Sequence, residues 1–525
     1  MNRDKSRVRE FFDNRSDPDL RNRAVRAAGA TVLAGVVGFL IYFISTVILA
    51  RILVPEDFGL VLIVLTISIP LANFGVRGFT EATIQDKNIT HEKISALFWI
   101  HVICNLTLGV LFMASAPLIA WLYDDSRLVA ISVVISSSII LDAVITQHAA
   151  LLTRRLYFYK LTAVRLLASL VSSGLAIYLA WTGWEYWALV ARRVVGALLL
   201  VPLVLVVNPW IPGLPKRHPG VWSMVKFALN TYGNYITNYF SRSLDKMLLG
   251  WYSGTTALAH YDKAYYVFTA PANQLSSPLT SVAVATLSKI RDDHERFRHY
   301  YFKALSTFAL IGMPTSAAVI LLAPDIIYFL LGPQWELAGE ILRIFGAGVA
   351  ALLIYGTHGW LHLSLGTPHH WFRWGIFELA VVAAALLAGL PFGAKGVAVA
   401  YTIAVCALVG PGLLYAGRPI RLRLSELVAI LWPFFVRASI AGVVSWWLFF
   451  GVDAIFDFYL GLNSFLRLAV CSTFLLSIYG LLVLASSRTR ASLFDSISLA
   501  RQMIPTRSKK ALRDKDSQAS STPRD

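Results

Sequence analysis

Long apolar stretches alternate with short polar gaps along the whole chain. The stretches are Ala28–Leu49, Phe58–Ile84, Ala96–Leu122, Leu128–Leu151, Leu161–Trp181, Tyr186–Val207, Val225–Tyr252, Leu258–Leu287, Tyr300–Leu322, Ile341–Leu363, Phe372–Leu390, Gly396–Ala416, Leu427–Phe450 and Leu466–Ala485. A helix needs about 20 residues to cross the hydrocarbon of a bilayer. The pattern therefore predicts an all-α polytopic membrane protein of about fourteen transmembrane helices. Backbone groups have no water to bond to in hydrocarbon, so helices are the form such runs take.

The gaps differ in charge. With the N-terminus in the cytoplasm, the inner gaps and tails hold about 34 Lys and Arg against about 3 outside. The outer gaps are acidic or neutral, as in Pro55-Glu56-Asp57 and Tyr123-Asp124-Asp125. An even number of spans then returns the C-terminus to the cytoplasm. The same reading divides the chain into a basic, amphipathic lead-in (1–27), a lobe of spans one to six (28–207), a cytoplasmic linker (208–222), a lobe of spans seven to twelve (223–417), an accessory pair of spans (418–486) and a basic cytoplasmic tail (487–525).

The two lobes repeat each other. Ala116-Pro117 closes span three as Ala323-Pro324 closes span nine, and Pro70 in span two corresponds to Pro271 in span eight. Near-constant offsets of about 200 residues mark an internal repeat of six spans. Six is even, so both lobes keep the same orientation, and substrate is expected between them around a central cavity.

Charges inside the apolar runs carry the functional information, because a stray charge in hydrocarbon is costly. Span seven is the outlier. Asn230, Asn234, Asn238, Arg242 and Lys246 recur at steps of four, with Asp245 beside them. Steps of four keep side chains near one helix face, which must meet a partner helix or a polar cavity. Span two carries Arg77 and Glu81, and span eight opens with Asp262 and Lys263. The expected substrate-binding residues are thus Arg77, Arg242, Lys246, Lys263, Asn234 and Asn238. Glu81, Asp245 and Asp262 are expected as coupling or charge partners, with Asp245 paired to Arg242 or Lys246. Pro271 and Pro278 allow a bend in span eight. Arg192 and Arg193, with Arg165, Arg437 and Arg467, lie near span ends and read as snorkelling side chains. Asp142 reads as an acid bonded to a neighbouring helix.

Composition sharpens this picture in a few places. Of 525 residues, 57% are apolar and 15% charged, well below the roughly 25% charge of soluble domains. The net charge of +17 sits in short loops and tails rather than on a soluble face, which excludes nucleic acid as a partner. The three cysteines fall inside apolar runs and read as small core residues. His358, His362, His369 and His370 have no carboxylate or cysteine beside them and read as interfacial polar residues. No catalytic residue, metal site or cofactor is expected. A cationic excess with Asn and Tyr donors suits an anionic, hydroxyl-rich ligand, because Arg grips phosphate with two bonds at once.

Two segments then resemble a known family. Ile48-Leu49-Ala50-Arg51-Ile52-Leu53-Val54-Pro55-Glu56-Asp57-Phe58-Gly59 and Asp245-Lys246-Met247-Leu248-Leu249-Gly250, continued by Ala257 to Tyr265, are similar to the signatures of the polysaccharide transporter branch of the MOP flippase superfamily, the Wzx-type O-antigen and exopolysaccharide exporters. Gly332-Pro333-Gln334-Trp335 resembles a third signature. The resemblance implies two six-helix bundles around a cavity lined by spans one, two, seven and eight. It implies transport of an undecaprenyl-type lipid-linked pyrophosphate oligosaccharide, in lipopolysaccharide or exopolysaccharide biosynthesis at the inner membrane. Membrane lipids and other polysaccharide-assembly membrane proteins would be its partners. A membrane-embedded glycan polymerase or ligase, a lipid II flippase and a cation or drug antiporter stay open as alternatives.

Overall fold

The computed structural model describes the backbone of residues 20–74, 78–86, 89–215, 220–487 and 489–494. All regular structure among these residues is helical. In chain order the helices are α1 (Leu20–Ile52), α2 (Pro55–Ala72), α3 (Phe79–Gln85), α4 (His91–Ala114), α5 (Ala116–Tyr123), α6 (Arg127–Arg154), α7 (Phe158–Trp181), α8 (Tyr186–Val207), α9 (Val221–Lys289), α10 (His294–Leu331), α11 (Glu336–Gly346), α12 (Val349–Tyr355), α13 (His358–Ser364), α14 (Pro368–Gly389), α15 (Gly393–Ala416), α16 (Leu424–Gly451), α17 (Asp453–Gly461) and α18 (Ser464–Leu484).

Local chemistry sets the boundaries. Pro55 opens α2, where a missing N–H costs nothing. Asp57 then reaches back to the Val54 N–H at 3.3 Å. Asn463 caps α18 by accepting from the Leu466 N–H at 2.9 Å. At the end of α10, Gly332 takes φ +99°, and its N–H returns to the carbonyls of Ile327 and Tyr328. The predicted third span breaks at Ser115 into α4 and α5. The tenth is a pair bent by 52°. α9 joins the predicted spans seven and eight, and it leaves helical geometry at Gly254, where φ is +82°. The helix runs on through Pro271 and Pro278, so the marked break at Gly254 lies well before those prolines.

Ten helices among the described residues are long and apolar enough to cross a membrane, or eleven with the bent pair. The arms of α9 are not among them, because polar residues dilute their apolarity. Large apolar side chains face outward, as with Ile403 at 63% and Leu481 at 69% exposure. A soluble protein would bury such a surface, and a bilayer covers it here. The chain is a multi-pass membrane protein.

The chain forms two compact units that do not follow chain order. The described residues of the first lie within Met1–Tyr266, Ile326–Ile341 and Val381–Tyr401; those of the second lie within Val267–Asp325, Leu342–Ala380 and Thr402–Asp525. In the first unit, Arg154 caps α3 by donating to the carbonyls of Thr83 and Asp86 at 2.8 and 2.7 Å. The segment after α8 is pinned rather than loose. Trp210 donates to His91 at 3.1 Å, and the Gly213 N–H donates to Ser95 at 2.9 Å.

In the second unit, Ser316 accepts from the Ala350 N–H at 2.9 Å beside the bend of the tenth span. Tyr301 and Thr357 share a hydrogen bond of 3.0 Å. The accessory helices α17 and α18 are tied to α10: Tyr479 donates to the Leu310 carbonyl at 3.1 Å, and Tyr459 donates to Asp325 at 2.5 Å.

Candidate functional site

All the site residues described here lie in the first unit. Pro70 in the last turn of α2 has no N–H, so the carbonyl of Thr66 loses its helical donor. The Tyr239 hydroxyl replaces it, donating to that carbonyl at 3.1 Å. Tyr232 likewise donates to the Pro70 carbonyl at 3.0 Å. Two tyrosines of α9 thus repair the ladder of α2 and lock the polar helix against it. Tyr232, Tyr235 and Tyr239 form a run of neighbouring rings with centroids 6.1 and 6.0 Å apart.

Beyond the tyrosines lies a charge knot. Lys246 reaches across the Gly254 break to Asp262, Nζ to Oδ1 at 2.6 Å. Lys263 stands 3.5 Å from the other oxygen of Asp262 and 4.4 Å from the Phe58 ring centroid. Asp245 is buried. It accepts from the Tyr261 hydroxyl at 2.9 Å and from the Lys246 N–H at 2.8 Å. The expected pairing of Asp245 with Arg242 or Lys246 side chains is therefore corrected: Lys246 turns to Asp262, and a tyrosine takes its place at Asp245. Two carboxylates and two lysines balance one another within the knot. Arg242 is exposed, and its charge acts on the Tyr265 and Tyr401 hydroxyls, which lie 3.3 Å from each other. No carboxylate among the described residues forms an ion pair with it. Asn238 is also exposed. Arg77 and the side chain of Asn234 lie outside the described residues, as does the stretch of side chains from Pro271 to Pro278. Glu81 stands in α3 rather than in a continuous span two.

A hollow of about 380 Å³ opens beside the knot. Lys263 and Asp262 form part of its wall, and Arg165, Arg192, Arg193 and Asp142 form another. Small residues leave the space: Ala168, Ser169 and Ser172 on α7, and Gly196 and Ala197 on α8. Arg193 pairs with Asp142 at 2.7 Å. Arg192 donates to the hydroxyls of Ser45 and Thr46 at 2.8 and 3.2 Å and lies 4.4 Å from the Tyr42 ring centroid. Arginines read from the sequence as snorkelling to the surface thus point into the bundle. The available signal was Asp142, an acid deep in span four that needed a cation from a neighbouring span.

The three signature segments meet at one joint. The Ala50 carbonyl, near the end of α1, accepts from Gln334 Nε2 at 2.7 Å and from Trp335 Nε1 at 2.8 Å. Arg51 donates to the Leu330 carbonyl at 3.2 Å and also to the Phe329 carbonyl. Trp335 is fully buried, edge-on to Phe58 at 5.4 Å and to His260 at 5.3 Å. A Cβ on Gly59 would stand 2.0 Å from the Thr255 carbonyl oxygen, so only glycine permits this crossing of α2 with the break in α9.

Known proteins resemble the chain in sequence and in fold. It is 23% identical over 403 residues to the teichuronic acid biosynthesis protein TuaB of Bacillus subtilis (strain 168), covering 75% of this chain and 81% of that one. It is 24% identical over 365 residues to the succinoglycan biosynthesis transport protein ExoT of Rhizobium meliloti (strain 1021), covering 69% and 74%. Among solved structures, the lipid II flippase MurJ in an inward closed conformation superposes with a TM-score of 0.67 at 15% identity, over 88% of this chain and 98% of that one. This likeness shows that the chain shares the fold of that structure. The family described as polysaccharide biosynthesis protein matches residues 48–339, a span that contains all three signatures and the joint they build. That match covers more than half of the chain, which belongs to the polysaccharide biosynthesis protein family.

Proposed function

We propose that this protein is a flippase that carries a lipid-linked pyrophosphate oligosaccharide across the bacterial inner membrane by alternating access, with both termini in the cytoplasm and fourteen spans. An undecaprenyl-type carrier is the lipid, and polysaccharide-assembly membrane proteins supply and receive the glycan. The chain acts as a transporter, without bond-making chemistry of its own. The observation that carries this reading is Arg242. It is an exposed cation on a polar helix, next to a knot that already balances its own charges. A pyrophosphate supplies the missing negative charge, and two parallel N–H···O bonds from one guanidinium hold it. Exposed Asn238 offers an amide donor to sugars, and the tyrosine run of α9 offers ring faces. Arg77 and Asn234 belong to the same reading, as further cationic and amide contacts from spans two and seven. Lys246 and Lys263 divide their charge between Asp262 and the passing phosphate. Asp245 and Glu81 are held as charge partners.

The family membership and the name of the Rhizobium relative, a biosynthesis transport protein, support transport over polymerisation. The test is export of labelled lipid-linked glycan by Arg242→Ala and Arg77→Ala, with folded protein measured in parallel. Each variant is expected to lose at least about tenfold in rate at normal protein level, the equivalent of about 1.4 kcal/mol. Full activity in both would remove the assignment.

A further inference from the structure

The hollow in the first unit is lined by more positive charge than the carboxylates in its described lining carry. Arg165, Arg192, Arg193 and Lys263 face two carboxylates, Asp142 and Asp262. Asp262 is already divided between Lys263 and Lys246. Asp142 is taken by Arg193. Among the described residues the partners of Arg192 are all neutral: two hydroxyls, a backbone carbonyl and the Tyr42 ring. Arg165 is exposed and makes no hydrogen bond or ion pair among the described residues, although it sits in the field of Asp142. Nε of Arg193 is buried without an acceptor among those residues. A buried donor of this kind is costly unless something occupies it. Ser169 and Ser172 add hydroxyl donors to the wall. The volume is at the small end of ligand cavities, which run from about 300 to 1,000 Å³.

We propose that this hollow is a binding site for a phosphate group, held by the guanidinium forks of Arg165 and Arg192 with Arg193 beside them. A dianion suits it, because two guanidinium charges in the wall have no carboxylate of their own. Planar forks match phosphate oxygens in pairs, which a lysine or a hydroxyl cannot do alone. Arg242 is not in the hollow's lining, which meets the charge knot at Asp262 and Lys263. The phosphate comes from one of three sources: an anionic bilayer lipid, the diphosphate of a prenyl carrier, or free phosphate.

The experiment uses the full chain in phosphatidylcholine nanodiscs. Three probes are added separately: inorganic phosphate, phosphatidylglycerol at one lipid in ten (roughly) and farnesyl diphosphate. Binding is read by native mass spectrometry and by the rise in melting temperature. At least one probe is expected to bind the wild type, and which one names the source. Arg165→Gln and Arg192→Gln should each weaken that probe by about tenfold. The Lys substitutions, which keep charge and lose the fork, should fall between. Arg291→Ala, at an exposed cation outside the hollow, should keep the binding. If a glutamine variant fails to fold, the lysine variant at that position decides. The proposal is overturned if no probe binds, if the folded variants bind as the wild type does, or if Arg291→Ala removes binding and the hollow variants do not. Intact phosphate binding in a protein that exports no glycan would remove the translocation reading and leave this one standing.

Discussion

Two groups of embedded arginines meet opposite fates. In the accessory helices, Arg437 donates to the carbonyls of Leu482 and Pro433 at 3.0 and 2.6 Å. Arg467 donates to the carbonyls of Leu462 and Leu460 at 2.9 and 2.6 Å and lies 3.5 Å from Asp325. These side chains are spent on backbone carbonyls of their own and neighbouring helices and, for Arg467, on a carboxylate. In the hollow of the first unit, Arg192 rests on hydroxyls and Arg165 on nothing described. Sequence position does not separate the two groups: Arg467 and Arg192 both lie within two turns of a helix start, at Ser464 and Tyr186. What separates them is the acceptor each one finds. An arginine saturated by carbonyls holds helices together, whereas one left with hydroxyls keeps its fork for a ligand.

Asp142→Asn gives the strongest test of this contrast. It removes the carboxylate of Arg193 and leaves a partly buried cation unpaired, at an expected cost of about 3–5 kcal/mol. Thermal unfolding of the purified protein reads it; a loss under about 1 kcal/mol would mean that all the hollow's cations tolerate isolation. Next comes Arg437→Ala, which orphans the Leu482 carbonyl and is expected to cost about 1–3 kcal/mol in the same assay. If it costs nothing, carbonyl saturation is not what holds α16 to α18. Tyr239→Phe leaves the Thr66 carbonyl without its substitute donor and should cost about 1 kcal/mol. An Ala at Pro70 restores the backbone donor, so the double variant should recover much of that loss. A smaller effect is expected outside the membrane. Arg127 pairs with Asp125 at 2.7 Å and also with Glu56, and this bonding holds the Asp125 carboxyl below its usual range. A depressed carboxylate stabilises the fold above its unfolded value of about 3.9 and loses that contribution as pH falls through the folded value. Asp125→Asn should cost no more than about 1 kcal/mol at pH 7. The difference from wild type should begin to shrink below about pH 4 and vanish once pH has fallen past the lowered folded value; a difference that stays constant as pH falls would point to something other than charge. Arg165→Gln should change stability least, within about 0.5 kcal/mol, because no described bond is lost.

The fold was legible because hydrocarbon imposes it. Runs such as Phe372–Leu390 and Leu466–Ala485 closely match α14 and α18, since an apolar run of that length has one stable form in a bilayer. The polar face of α9 was visible for the opposite reason, as a breach of the same rule. The partners of its charges were not. Periodicity places Asp245 and Lys246 side by side, but the left-handed turn at Gly254 decides that Lys246 meets Asp262 sixteen residues on. The hollow was hidden too. It depends on small residues of α7 and α8 facing arginines from the same two helices, a coincidence in space that no single span records. The division into units was equally unreadable, because Ile326–Ile341 and Val381–Tyr401 join the first unit from far along the chain.

The meeting of Ala50, Arg51, Gln334 and Trp335 has a consequence for relatives. The recognisable motifs of this lineage are fasteners: an indole and an amide bolt one helix end in place, and a guanidinium bolts another. Such hardware can be inherited unchanged while the freight differs, as the names teichuronic acid and succinoglycan on two relatives illustrate. Selectivity among glycans is then to be engineered away from the shared fingerprint, at positions whose side chains still have bonds to give.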